Sequence, residues 1–150
     1  MRARLRRWVI FCAVAAAGVP AAATAPLCGK GADAQPRPAP ETLAPALRRL
    51  FDLEEDFPRE RAFYRCDLGR ILLCVDGANR SCARADKAWS SPAATRWCEQ
   101  SPPAPLVPAA VVGHDTVFRW RCLGRVARPG EAIAPLDGQG YFKANWKRLR

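Results

Sequence analysis

The sequence predicts a small disulfide-stabilised α+β domain, a mainly antiparallel sheet with two or three short helices. Three observations lead there. Six cysteines remain once an N-terminal export signal is set aside, and an even number in a small exported chain reads as three disulfides. Residues 42–58 carry apolar positions at helical spacing, and from residue 62 onward short strand-like runs alternate with turn residues.

The chain opens with four arginines and no acid in Met1–Arg7. An uncharged run from Trp8 to Val19 follows, then the small-residue stretch Pro20-Ala-Ala-Ala-Thr-Ala25. This is the pattern of a secretory signal peptide, residues 1–23, cut after Ala23. At about a dozen residues the apolar run is shorter than the roughly 20 a membrane-spanning helix needs. After cleavage no transmembrane span is expected. The expected location is the periplasm or the exterior.

Residues 24–41, rich in Pro, Ala and Gly, read as a flexible or extended linker. Residues 42–150 form the expected folded domain. Its first element is an amphipathic helix over about 44–56, with Leu43, Leu47, Leu50 and Phe51 on one face. Pro45 suits the first turn and Pro58 stops the pattern. The acids Glu54, Glu55 and Asp56 would then sit at the unfavourable end of the helix dipole.

Ala62–Cys66 and Arg70–Val75 read as a hairpin, with Asp76-Gly77 as a further turn. Ser91-Pro92 is an N-cap followed by proline at the first helical position, launching a helix through Trp97 and Cys98. Leu106–Val112 and Thr116–Leu123 read as a second hairpin joined by Gly113-His114-Asp115. Arg128-Pro-Gly-Glu131 and Asp137-Gly138 read as turns. Phe142, Trp146 and Leu149 share a helical face at the C-terminus, with Lys143, Lys147, Arg148 and Arg150 pointing outward. Tyr64-Arg-Cys-Asp-Leu-Gly-Arg-Ile71 is echoed by Trp120-Arg-Cys-Leu-Gly-Arg-Val126.

The cysteines are Cys28, Cys66, Cys74, Cys82, Cys98 and Cys122. With no C-x-x-C and a single histidine, the spacing opposes a zinc site, and no metal or cofactor is expected. The formal charge is +10; without the four leader arginines 20 basic residues face 14 acids. That modest surplus suits an anionic polymer or an envelope protein as partner.

Hydrolase, nucleotide-binding and metalloprotease signatures are missing. A histidine-dependent general base would have to be His114, with Asp115 beside it. On a strand those neighbours would point to opposite faces. Along Val117–Leu123, Phe118, Trp120 and Cys122 alternate with Val117, Arg119, Arg121 and Leu123. Arg119 and Arg121, extended by Arg65 or Arg70 of the first hairpin and joined by His114 at a loop tip, form a candidate site for a carboxylate or phosphate. Salt bridges to nearby acids would give the same arginines a purely structural role. The second face has no interleaved aromatics, which disfavours nucleic acid.

Gly77-Ala-Asn-Arg-Ser-Cys82, Trp97-Cys98, Gly113-His-Asp-Thr116 with Trp120-Arg-Cys122, and Phe142-Lys-Ala-Asn-Trp-Lys147 resemble a set of small exported cysteine-rich bacterial proteins of unknown function. The resemblance covers about residues 62–149 and implies a cell-envelope setting without an activity. Three functions remain in play: a non-catalytic binding or accessory module with an arginine-rich sheet face, a small hydrolase using His114, and an inhibitor of a secreted enzyme.

Overall fold

The computed structural model describes residues 27–29, 34–77, 79–102 and 104–150. The predicted signal peptide and part of the linker lie outside these residues. The α+β expectation is met: a mainly antiparallel sheet, short helices and three disulfides.

The first hairpin forms as predicted. β2 (Ala62–Asp67) and β3 (Arg70–Val75) pair antiparallel from Ala62↔Val75 to Asp67↔Arg70. Leu68 and Gly69 make the two-residue turn with φ of 48° and 75°, both positive as a type I′ turn requires. β1 (Arg37–Pro38) lies antiparallel on the outer side of β2 and β6 (Lys147–Arg148) on the outer side of β3. The order is β1-β2-β3-β6. Proline is tolerated in β1 because that strand has no outer neighbour to bond. The linker region is thus extended along the sheet edge at Arg37–Pro38, and the Cys28–Cys66 disulfide clamps its start to β2.

Both faces of this sheet are covered. Ala62, Tyr64, Cys66 and Leu73 pack under Leu43 and Leu47, the apolar side of α1 (Ala44–Phe51) and the turn before it. On the opposite face Cys74 packs with Cys82, Tyr141 and Trp146, and Phe63 and Leu72 join them. The Cys74–Cys82 disulfide lies in this second layer.

α1 is shorter than the predicted helix over 44–56. Asp52 turns left-handed (φ 54°, ψ 56°), and the Leu53 N–H donates to the Arg48 carbonyl at 3.1 Å. This is the six-to-one bond of a Schellman ending, reached here with Asp, one of the few residues that tolerate the conformation. Glu54, Glu55 and Asp56 therefore lie beyond the helix and do not oppose its dipole.

The rest of the chain builds a second cluster. α2 (Pro92–Gln100) begins as predicted: the Ser91 hydroxyl accepts from the Ala94 N–H at 3.2 Å, with Pro92 in the first turn. Ala94 and Cys98 of α2 pack against Val107, Trp120 and Ala127, and the Cys98–Cys122 disulfide ties α2 to β4 (Phe118–Leu123).

The second predicted hairpin is corrected. Residues 109–112 form a one-turn helix, α3 (Ala109–Val112), with Pro108 as its N-cap residue, and Gly113 leaves it at φ 90°. A short apolar run does not distinguish strand from helix by pattern, and here the proline sets the helical turn. β4 pairs instead with β5 (Val126–Ala132) through Gly124-Arg125, with Gly124 at φ 62°. The two Leu-Gly-Arg echoes are thus two hairpin ends.

Arg128–Glu131 is strand, not turn. Pro129 faces Trp120 in a ladder whose register shifts between Phe118 and Trp120. Among the described residues β5 has no second neighbour to require the missing proline N–H, and a Cβ on Gly130 would stand 2.7 Å from the Arg119 carbonyl oxygen. The C-terminal segment is also not an α-helix. Lys143–Asn145 is a single 3₁₀ turn, and β6 follows because the outer edge of β3 offers it a ladder partner. It is docked by aromatics all the same: Phe142 and Trp146 are buried while Lys143, Lys147, Arg148 and Arg150 are exposed.

Candidate functional site

The predicted site residues His114, Arg119 and Arg121 come together at the exposed side of the β4–β5 ribbon, and Arg65 and Arg70 do not join them. His114 is exposed on the loop between α3 and β4. It lines a hollow of about 250 Å³ with Asn79, Val112, Thr116, Phe118 and Arg119. Arg119 also lines an adjoining hollow of about 540 Å³ with Arg121, Leu106, Pro129, Gly130 and Glu131. Arg119 and Arg121 are both exposed, two positions apart, and the cross-strand partner of Arg121 is another exposed arginine, Arg128. Among the described residues none of the three forms a salt bridge. The acid pairing that would have made Arg119 and Arg121 purely structural is not seen, although Glu131 borders the same hollow.

The groups around His114 are committed elsewhere. The Thr116 hydroxyl is buried and accepts from the Trp120 indole N–H at 3.0 Å. The Asp115 carbonyl accepts from the Asp86 N–H at 2.7 Å. Its carboxylate folds back over Gly113, where a Cβ would stand 2.7 Å from Oδ1. Glycine suits that position through its φ of 90°. No hydrogen bond or ion pair joins His114 to Asp115.

Arg65, read from the sequence as an extension of the strip, is instead 1% exposed. It lies on the face of β2 that the C-terminal segment covers. Its guanidinium pairs with the Asp137 carboxylate and donates to the Gln139 side-chain oxygen. The faces of Tyr141 and Trp146 flank it, 4.4 and 4.7 Å from the guanidinium carbon. Burial alone would raise the Asp137 pKa. The N–H groups of Tyr141 and Gln139 and the Arg65 charge outweigh it, and the carboxyl lies below its ordinary value. This cluster was missed in the sequence because its anion and aromatics lie more than 70 residues from the arginine. Arg70, at the start of β3, is exposed on the four-stranded sheet rather than on the ribbon.

Comparison with protein-family models, with curated proteins and with solved structures finds no match. The three disulfides are compatible with an oxidising compartment outside the cytoplasm. Among the described residues no helix is long and apolar enough to cross a membrane.

Proposed function

We propose that this is an exported cell-envelope protein, periplasmic or secreted, acting as a non-catalytic binding module that holds an anionic group on its β4–β5 face. The observation that carries the reading is the pair Arg119 and Arg121, exposed and without salt bridges among the described residues, bordering two adjoining hollows with His114 at the rim. Guanidinium groups take carboxylate or phosphate through two parallel hydrogen bonds, and their charge-assisted bonds are stronger than neutral ones. The ribbon fixes the backbone of both residues, so what binding orders is the two side chains. The likeness to small exported bacterial proteins and the leader-like N-terminus support the envelope setting.

Binding is favoured over hydrolysis by the geometry around His114. The Thr116 hydroxyl is engaged by Trp120 and the Asp115 carboxylate rests on Gly113, so neither a nucleophile nor an orienting acid is arranged about the imidazole.

The test is retention of the purified protein on immobilised polyphosphate and polyglutamate across a salt gradient. Arg119→Glu/Arg121→Glu is expected to lower affinity at least tenfold, about 1.4 kcal/mol, while the thermal midpoint holds. Equal retention of the charge-reversed variant on both resins sinks the proposal.

A further inference from the structure

A second site stands at the start of α2. Trp89 is 73% exposed, yet its ring is not loose: it packs on Phe118 of β4 with centroids 4.6 Å apart. It borders a hollow of about 450 Å³ whose other lining includes Ser90, Thr95, Arg96, Ala127 and Arg128. Among the described residues no acid lines this hollow. Neither Arg96 nor Arg128 forms a salt bridge among the described residues, and both are exposed.

We infer that the Trp89 hollow binds an acidic saccharide, one sugar ring lying on the indole and its carboxylate or phosphate held by Arg96 and Arg128. Each part of the lining matches a part of such a ligand. A pyranose offers one face of C–H groups, and a flat, wetted indole is the side chain that covers it. Phe118 fixes the indole before the ligand arrives, which reduces the ordering cost of binding. The hydroxyls of Ser90 and Thr95 can donate to and accept from ring hydroxyls. The two guanidinium groups select an acidic sugar over a neutral one.

Other occupants fit less well. A protein interface has a desolvated core of several large apolar groups, and here only Trp89 and Val126 are both large and exposed. Single-stranded nucleic acid requires aromatics in succession for successive bases, and this hollow has one. Arg119 and Arg121 do not line this hollow, although Arg128 stands across the ribbon from Arg121.

The test uses the purified protein, with binding read from the Trp89 indole N–H resonance and, for every variant, from calorimetry. Probes are tetragalacturonate, a phosphorylated mannose tetrasaccharide, neutral maltotetraose and hexathymidylate. At least one acidic saccharide is expected to shift the Trp89 resonance and to bind at least tenfold more tightly than maltotetraose. Trp89→Ala is expected to weaken that binding at least tenfold, and Trp89→Phe less. Arg96→Gln/Arg128→Gln should bring the acidic and neutral sugars to similar affinity. Arg119→Glu, which leaves Arg121 opposite Arg128 unchanged, should keep at least half of the affinity, which separates this site from the one above. Trp89 is exposed, so its variants should fold, and an unchanged thermal midpoint checks this. No shift with either acidic sugar, equal affinity in Trp89→Ala, or tighter binding of hexathymidylate would overturn the proposal.

Discussion

Replacing Asp137 with alanine should be among the most damaging single substitutions, although Asp137 lies in a turn. Arg65 is 1% exposed, and among the described residues Asp137 is the only carboxylate paired with it. Arginine does not lose its proton inside proteins, so the charge has no route of relief. Breaking a buried pair by removing one partner costs about 3–5 kcal/mol. Asp137 itself is 23% exposed, and Tyr141, Trp146 and Gln139 still attend the guanidinium, which places Asp137→Ala no higher than the lower end, at about 3 kcal/mol. The expected fall in thermal midpoint is about 10 °C. Asp137→Asn keeps an oxygen for the N–H groups of Gln139 and Tyr141 and should cost less, about 2 kcal/mol. Arg65→Met/Asp137→Asn removes both charges and should be more stable than Asp137→Ala. Urea unfolding at constant m-value measures all three. Because the folded carboxyl titrates below its ordinary value of 3.8, the stabilisation is fully present above that pH. It is lost as pH falls through the folded value, and Asp137→Asn should remove this part of the acid sensitivity. A loss below about 1 kcal/mol for Asp137→Ala, or a double variant no better than it, refutes the reasoning.

Three further outcomes follow from the backbone. Ser91→Ala removes the cap of α2 and should cost about 1 kcal/mol in chemical denaturation. Gly130→Ala should destabilise by about 1–3 kcal/mol, since its Cβ would meet a backbone carbonyl at 2.7 Å. Gly138→Ala, where a Cβ meets nothing within 4 Å, should instead be neutral or raise stability by up to about 1 kcal/mol. Opposite signs at the two glycines, read from thermal midpoints, are the check.

What the sequence made legible was local. Ser91-Pro92 announces a helix start by chemistry contained in four residues, and it appears where expected. Asp-Leu-Gly-Arg marks the first hairpin turn. Phe118, Trp120 and Cys122 are on the packed side of β4, and Arg119 and Arg121 point outward. What failed depended on partners distant in the chain. Pro129-Gly130 spells a turn until an edge strand with one neighbour makes both residues acceptable in a ladder. Residues 141–149 show a helical stripe, but the open edge of β3 captures Lys147 and Arg148 as strand. Arg65 alternates as a solvent-facing residue should, and only the covering C-terminal segment buries it. His114 sits at a loop tip as read, though between a helix and a strand rather than within a hairpin.

The Arg65 cluster also orders events during biosynthesis. The acceptors of Arg65 arrive 72 and 74 residues after it, and β6 joins the sheet later still, at Lys147–Arg148. A chain released before residue 137 therefore has a cation with nothing to answer it and a sheet with an open edge. The first hairpin is local and quick to form, but the covering of Arg65 waits for residues 137–146. Truncation ahead of Asp137 should thus unfold the domain rather than trim it, which circular dichroism of the shortened chain checks.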